Sequence, residues 1–196
     1  MQAQLAKEAR EFLRGKIRHT PVELSPELSE HLGADVWLKL EFLQITGSFK
    51  LRGALFKLAR TAAPVVLTCS AGNHGKAVAY AAKQLGKRAI VCVPSSVDPV
   101  KRRGIEHFGA EIRISPFRGY DETEDWAMDQ ARVEHLPFIS PFDDEEIIAA
   151  NGGALADELL EDVPGLRTVV LAVGGGGQAA GFACKPALRQ IRSSHL

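Results

Sequence analysis

Pro64-Val65-Val66-Leu67-Thr68-Cys69-Ser70-Ala71-Gly72-Asn73-His74-Gly75 is the stretch whose reading decides the fold. The apolar, β-branched run Pro64 to Thr68 reads as a buried strand, the small polar residues after Cys69 as a tight turn, and Gly75 to Leu85 as a helix closed by Gly86. The same succession repeats downstream. Arg88 to Val93 predicts a strand, Val100 to Phe108 a helix closed by Gly109, Glu111 to Ile114 a strand, Asp121 to His135 a helix and Phe138-Ile139-Ser140 a short strand. Strand and helix alternating through short turns predict an α/β fold, with open parallel sheets covered by helices on both faces. Ligands of such sheets bind beyond the carboxyl ends of the strands, which is where Ser70, Gly72, Asn73 and His74 fall. Two readings of that loop stay open: a plain strand-to-helix turn with a glycine and a capping serine, or exposed amides, a hydroxyl and an imidazole gathered for a carboxylate.

Upstream, residues 2–14 read as a surface helix and Ile17 to Val22 as an extended segment with a helix-breaking proline at position 21. Asp35 to Glu41 alternates like a short strand and leads into Thr46-Gly47-Ser48-Phe49-Lys50-Leu51-Arg52-Gly53-Ala54. There Ser48 stands where a hydroxyl can cap a helix, and Leu51, Leu55 and Leu58 recur on one face. Lys50 thus falls in a first turn, whose unpaired amides disfavour a cation and bias the amine toward its neutral, nucleophilic form. A merely solvated lysine is the alternative.

Downstream, a helix from Glu145 to about Leu160 precedes the turn Val163-Pro164-Gly165 and the apolar strand Thr168 to Val173. Gly174-Gly175-Gly176-Gly177 follows, then a last helix from near Gln178, weakened in its second half by Pro186. Glycines after a buried strand make either a flexible turn or a set of inward amides for a phosphate. Gly174-x-Gly176-x-x-Ala179 also matches a dinucleotide fingerprint, but no acidic residue follows about twenty positions on, and the Gly-Lys-Ser/Thr of a Walker loop is absent.

Bulk properties narrow the class. The 196 residues are 45% hydrophobic, enough for a substantial core in one domain or two small ones. With 24 basic and 24 acidic residues the net charge is zero, which leaves no electrostatic footprint for nucleic acid or an anionic membrane; Lys101-Arg102-Arg103 reads as a solvated helix face. Cys69, Cys92 and Cys184 have neither metal-ligand nor CxxC spacing, and the first two sit in strand-like runs as small buried residues. No apolar leader or bilayer-length run appears, so a cytoplasmic location is the default expectation.

Lys39 to Ala54 resembles the lysine segment of the threonine/serine dehydratase branch of the fold type II pyridoxal-phosphate enzymes, the tryptophan-synthase-β-like fold. Ser70 to Gly75 resembles that family's substrate loop, and Gly174 to Gly177 its phosphate loop. Ile45 stands where many relatives have proline, Gln178 where leucine or methionine is common, and Ala150-Asn151-Gly152-Gly153 where relatives have Gly-Gln-Gly-Thr. The resemblance implies that Lys50 holds pyridoxal 5'-phosphate as a Schiff base, that Gly174, Gly175, Gly176 and Gly177 hold its phosphate, and that Asn73 bonds its ring oxygen. By the same resemblance Ser70, Gly72, Asn73 and His74 hold the carboxylate of a small amino-acid substrate. Phe49 packs beside the cofactor ring or serves as ordinary core. No metal is implied.

The activity implied is dehydration and deamination of L-threonine or L-serine to a 2-oxo acid and ammonia, the chemistry that also opens isoleucine biosynthesis. Alternatives are a dehydratase of a related hydroxy amino acid, as in hydroxyectoine breakdown, a serine-racemase-like enzyme, and an inactive fragment acting as an interaction module. Ala71 weighs against racemisation, because racemases of this branch carry a proton-donating serine there and a methyl group donates none. His74 and Leu51 likewise depart from the β-replacing relatives and the threonine synthases, which usually have threonine and aspartate there. The expected division is a small domain at 46–143 and a partial large domain from 1–45 plus 144–196. Relatives run on for a hundred or more residues, so the larger domain is expected to be incomplete, strand Thr168 to Val173 to lack neighbours, and a partner chain, a homo-oligomer included, to be needed.

Overall fold

The computed structural model describes residues 2–185 and 190–194. Helix α1 (Gln2–Leu13) buries Ala6, Ala9 and Leu13, which recur on one side. Strand β1 (Val22–Leu24), helix α2 (Pro26–Leu32) and strand β2 (Trp37–Lys39) follow, the strands forming an antiparallel ribbon that pairs Val22 with Lys39 and Leu24 with Trp37. The sequence pattern predicts neither β1 nor α2. The reason is burial: α2 covers nothing, so no apolar period marks it, and its signals are local, a Ser25 hydroxyl accepting from the Leu28 amide and Gly33 in the left-handed region at φ 62°.

The centre is built as the alternation requires. Helix α3 (Lys50–Arg60), strand β3 (Val65–Cys69), helix α4 (Asn73–Gln84), strand β4 (Arg88–Val93), helix α5 (Pro99–Glu106), strand β5 (Glu111–Ile114) and helix α6 (Tyr120–Val133) succeed one another. β3, β4 and β5 lie side by side, parallel, with Val65 opposite Arg88 and Ile90 opposite Glu111. One face packs Val66 and Ala89 against α1, α3 and α4, and the other packs Leu67, Cys69, Ile90 and Cys92 against Ala127 and Ala131 of α6. Helices therefore cover both faces. The strand expected at Phe138 to Ser140 is reduced to a single bridge between Leu67 and Phe138, closed by hydrogen bonds from the Leu67 amide to Pro137 O and from the Ile139 amide to Leu67 O.

Residues 145–162 form one continuous rod, though not a uniform one. Helix α7 (Glu145–Ile148) widens into a π-helical turn (Ala149–Ala154) before tightening into helix α8 (Leu155–Asp162). The wide turn coincides with Gly152 and Gly153. A Cβ on Gly152 would stand 2.7 Å from the Cα of Gly181, so the glycines let two backbones meet. Gly181 belongs to helix α9 (Gly177–Ala183), which follows strand β6 (Thr168–Ala172). β6 is not without a neighbour, as the sequence suggests: β7 (Gln190–Ser194) pairs with it in parallel, Thr168 opposite Gln190. The second half of the last expected helix, around Pro186, lies outside the described residues.

A buried ionic cluster joins these parts. The Arg52 guanidinium, 1% exposed, donates to both oxygens of Glu41 at 2.7 and 2.9 Å and to Glu158 at 2.8 Å. Lys39 adds contacts of 2.6 Å to Glu158 and 2.7 Å to Asp162. Burial works against the charge on Glu158, but the hydrogen bonds from Arg52 and Lys39 prevail and hold its carboxyl below the usual range. His19, Glu158 and Asp162 lie close enough together to hold a metal ion, yet the Lys39 ammonium already spans both carboxylates.

Candidate active site

α3 begins at Lys50, but Ser48 does not cap it. Phe49 occupies the capping position in helical conformation with no side-chain acceptor, and the Ser48 hydroxyl is buried without a partner. The acceptor comes from the π turn instead: Asn151 Oδ1 receives the Gly53 amide at 2.8 Å, in full burial. A Cβ at Gly53 would lie 2.7 Å from the Asn151 amide nitrogen, so that glycine admits the remote cap. The sequence marks Asn151 only as part of a departure from the relatives' Gly-Gln-Gly-Thr and gives it no capping role; the further visible signal is the Gly152-Gly153 pair inside a helical run.

The Lys50 ammonium group donates to Pro141 O at 2.7 Å and lies 5.4 Å from the centroid of the Phe49 ring. Burial lowers its pKa from the ordinary lysine value. Phe49, Lys50, Phe142 and residues 172–179 line one cavity of about 210 Å³. The glycine run forms its backbone wall. A Cβ on Gly175 would sit 2.3 Å from the Phe142 ring and one on Gly177 2.6 Å from Phe142 O, while Gly176 is left-handed at φ 81°. Only glycines allow this wall to pass so near Phe142.

The loop after β3 stands apart from that cavity. Its residues 70–74 do not line it, and Asn73 is exposed. The Gly72 amide donates to Ser70 Oγ at 3.2 Å, and no side chain caps α4. His74 alone turns inward: it is 3% exposed, its Nε2 lies 3.2 Å from Ile139 O, and its Nδ1 has no partner. Burial, and secondarily the charge of Lys50, push its pKa down to about 3, so the ring is neutral. The structure thus gathers Phe49, Lys50 and Gly174 to Gly177 around one cavity and sets His74 within electrostatic reach of Lys50.

The model of the pyridoxal-phosphate dependent enzymes matches residues 13–187, and the chain belongs to that family. It is 39% identical over 168 residues to a biosynthetic L-threonine dehydratase of Haemophilus influenzae, a match that covers 84% of this chain and 32% of that protein. An L-threonine ammonia-lyase of Geobacter sulfurreducens is 36% identical over 195 residues, covering 97% of this chain and 47% of its own length. The chain therefore spans less than half the length of these two relatives. Among solved structures, a serine racemase from Dictyostelium discoideum superposes with a TM-score of 0.88 at 30% identity, over 98% of this chain and 65% of that one.

Pyridoxal phosphate, the cofactor of this family, fits the residues present. Among the described residues three buried side-chain polar atoms lack a hydrogen-bond partner: Thr46 Oγ1, Ser48 Oγ and His74 Nδ1. Two lie within four residues of Lys50 and the third is coupled to it electrostatically. Unpaired buried polar atoms are rare in folded proteins and mark a place prepared for further polar partners. Beside them stand an amine of lowered pKa and a glycine wall that presents amides rather than side chains, the donor set suited to an aldehyde and a phosphate.

Proposed function

We propose that this chain carries the lysine, phosphate wall and substrate loop of a β-eliminating site that converts L-threonine or L-serine to a 2-oxo acid and ammonia. The observation that carries the reading is Lys50 facing Gly174 to Gly177 across one cavity, with Phe49 and Phe142 as its aromatic sides. Pyridoxal phosphate, when bound, supplies the electron sink for the Cα carbanion. The amides of Gly174 to Gly177 would hold its phosphate. Lys50, whose charge burial disfavours, takes the Cα proton in this reading, and the Pro141 carbonyl keeps its amine on one bearing. Ser70, Gly72 and Asn73, at the uncapped start of α4, orient the carboxylate. Phe49 and Phe142 exclude water from the amine. The names of the dehydratase relatives support the substrate class.

The likeness to a serine racemase favours a second reading, which Ala71 opposes. Its methyl group packs against Ala79, Val91, Val93 and Ile105 and has no proton to give, which favours one-base elimination over racemisation. The test is a visible absorption titration of the chain with pyridoxal phosphate, repeated on Lys50→Ala, followed by L-threonine. A visible band that is lost in Lys50→Ala, and a 2-oxo acid formed from threonine, is the expected result. A band of equal strength in Lys50→Ala, or D-serine as the main product from L-serine, overturns the reading.

A further inference from the structure

We propose that Lys57 is a positioning residue for the cavity: by gripping Asp144 it holds the segment 140–144, and with it Phe142, against α3 while the Lys50 amine is free to react. The inference rests on the reading of Lys50 as the reacting amine. The segment is pinned at both ends. Upstream, Ile139 donates its amide to Leu67 O at 2.8 Å and its carbonyl accepts from Thr68 Oγ1 at 2.7 Å. Downstream, Ile147 of α7 is fully buried in the core. Between these pins α3 reaches the segment with two lysines, Lys50 and Lys57, which stand two turns apart on one face of the helix. Lys50 donates to Pro141 O at 2.7 Å, and Lys57 meets Asp144 Oδ2 at 2.6 Å and Glu146 Oε2 at 2.8 Å. Asp144 turns its other oxygen to the amides of Glu146 and Ile147, at 3.0 and 3.1 Å, and so passes the grip of Lys57 to the start of α7.

The two grips differ in what they ask of the lysine. To attack an aldehyde or take a proton, Lys50 has to give up its ammonium form, and the charge-assisted bond to Pro141 O goes with it. Lys57 has no such second task. Burial works against its charge, but the hydrogen bonds to Asp144 and Glu146 prevail and raise its pKa, whereas burial alone acts on Lys50 and lowers it. Lys57 therefore keeps its hold in the state in which Lys50 loosens its own. What is held matters to the cavity, because the glycine wall passes so close to Phe142 that a Cβ on Gly175 or Gly177 would collide with it. A shift of the segment would carry Phe142 off that wall and alter the cavity that the wall shares with Lys50. Arg60 does not duplicate the grip: its guanidinium stands 3.6 Å from Glu146 and 3.6 Å from Glu8. The side chains of Lys57, Asp144 and Glu146 are 22%, 18% and 25% exposed, so water screens their contacts less than it screens a surface ion pair.

Amide hydrogen exchange in the chain without cofactor reads the segment directly. Lys57→Met should speed exchange about tenfold at Asp143, whose amide donates to Ser140 Oγ at 2.9 Å, and at Glu146 and Ile147, while Val91 and Cys92 of β4 keep their protection. Lys57→Arg, whose fork can meet both carboxylates, should stay within about twofold of the parent chain. Asp144→Asn, which keeps a capping oxygen and drops the gripped charge, should speed Asp143 as Lys57→Met does. Unchanged exchange at Asp143 in both Lys57→Met and Asp144→Asn overturns the proposal. So does an acceleration that Val91 and Cys92 share in full, or one that Lys57→Arg shows as strongly as Lys57→Met. A titration with pyridoxal phosphate gives a second reading: half-saturation of the visible band should need about fivefold more cofactor in Lys57→Met, and an equal half-saturation likewise overturns the proposal. A parent chain that shows no band sinks the proposed function alone, because the exchange rates still decide whether Lys57 holds the segment.

Discussion

The loops after β3 and β6 are made to the same local recipe, a strand, a run of small residues and a helix, yet they do different work. β3 is buried along its last four residues and shares a three-stranded sheet, and α4 behind it runs twelve residues. β6 alternates, leaves Val170 70% exposed and, among the described residues, pairs with a single strand, and α9 behind it runs seven residues. The first loop is locked by the core and offers side chains. The second is a backbone wall held up by Phe142 and by the close approach of Gly181 to Gly152. Similar local sequence thus fixes the turn, while the surrounding sheet decides whether the turn is scaffold or cradle.

The contrast is tested most severely at Gly75. A methyl group there would stand 2.5 Å from Ser70 O and 3.1 Å from Ile105 and Val91, which have no room to give. Gly75→Ala should cost about 2–3 kcal/mol of unfolding free energy in urea titrations. A cost near zero would mean that the first loop is no more locked than the second.

A second effect, of comparable size, is one of pH. His74 has a folded pKa of about 3, depressed from 6.5 first by burial and then by Lys50. Between those values the unfolded chain binds the extra proton, so stability rises with pH there. The contribution is complete above about 6.5 and is lost as pH falls toward 3, with a slope approaching about 1.4 kcal/mol per pH unit. His74→Leu should flatten this dependence in urea unfolding followed between pH 4 and 7. An equally steep fall in that variant would assign the acid sensitivity elsewhere.

The smallest effect belongs to the second loop. Nothing lies within 4 Å of a Cβ at Gly174. Gly174→Ala should therefore leave the unfolding free energy within about 0.5 kcal/mol of the parent chain. A penalty equal to that of Gly75→Ala would erase the distinction between the loops.

What the sequence discloses follows the same division. Val65 to Cys69 and Arg88 to Val93 are legible as strands because apolar runs in a covered parallel sheet leave their mark on composition, and Glu111 to Ile114 because charged and apolar residues alternate there. Lys50 at the head of its helix, and the glycine run after β6, are legible for reasons equally local. α2 is not, because its Leu28 and Leu32 face solvent and no period betrays it. Ser48 looks like a cap and is not one, because the groups that settle the start of α3 arrive from 98 residues away. No local rule ranks Asn151 above Ser48. The pairing of His74 with Ile139 and of Lys50 with Pro141 depends in the same way on where the chain returns after α6.

The wide turn at Ala149–Ala154 carries a consequence for how this chain can change length. Residues of a regular α-helix advance by about 100° each, so removing one residue ahead of Asn151 would regularise the rod but swing that side chain away from Gly53. It would also draw Gly152 off the contact with Gly181. Substitutions can be absorbed one side chain at a time. A single-residue deletion here would instead uncouple the lysine helix and the helix behind the glycine wall from their common support in one event, so insertions and deletions belong in the exposed turns on either side of this rod.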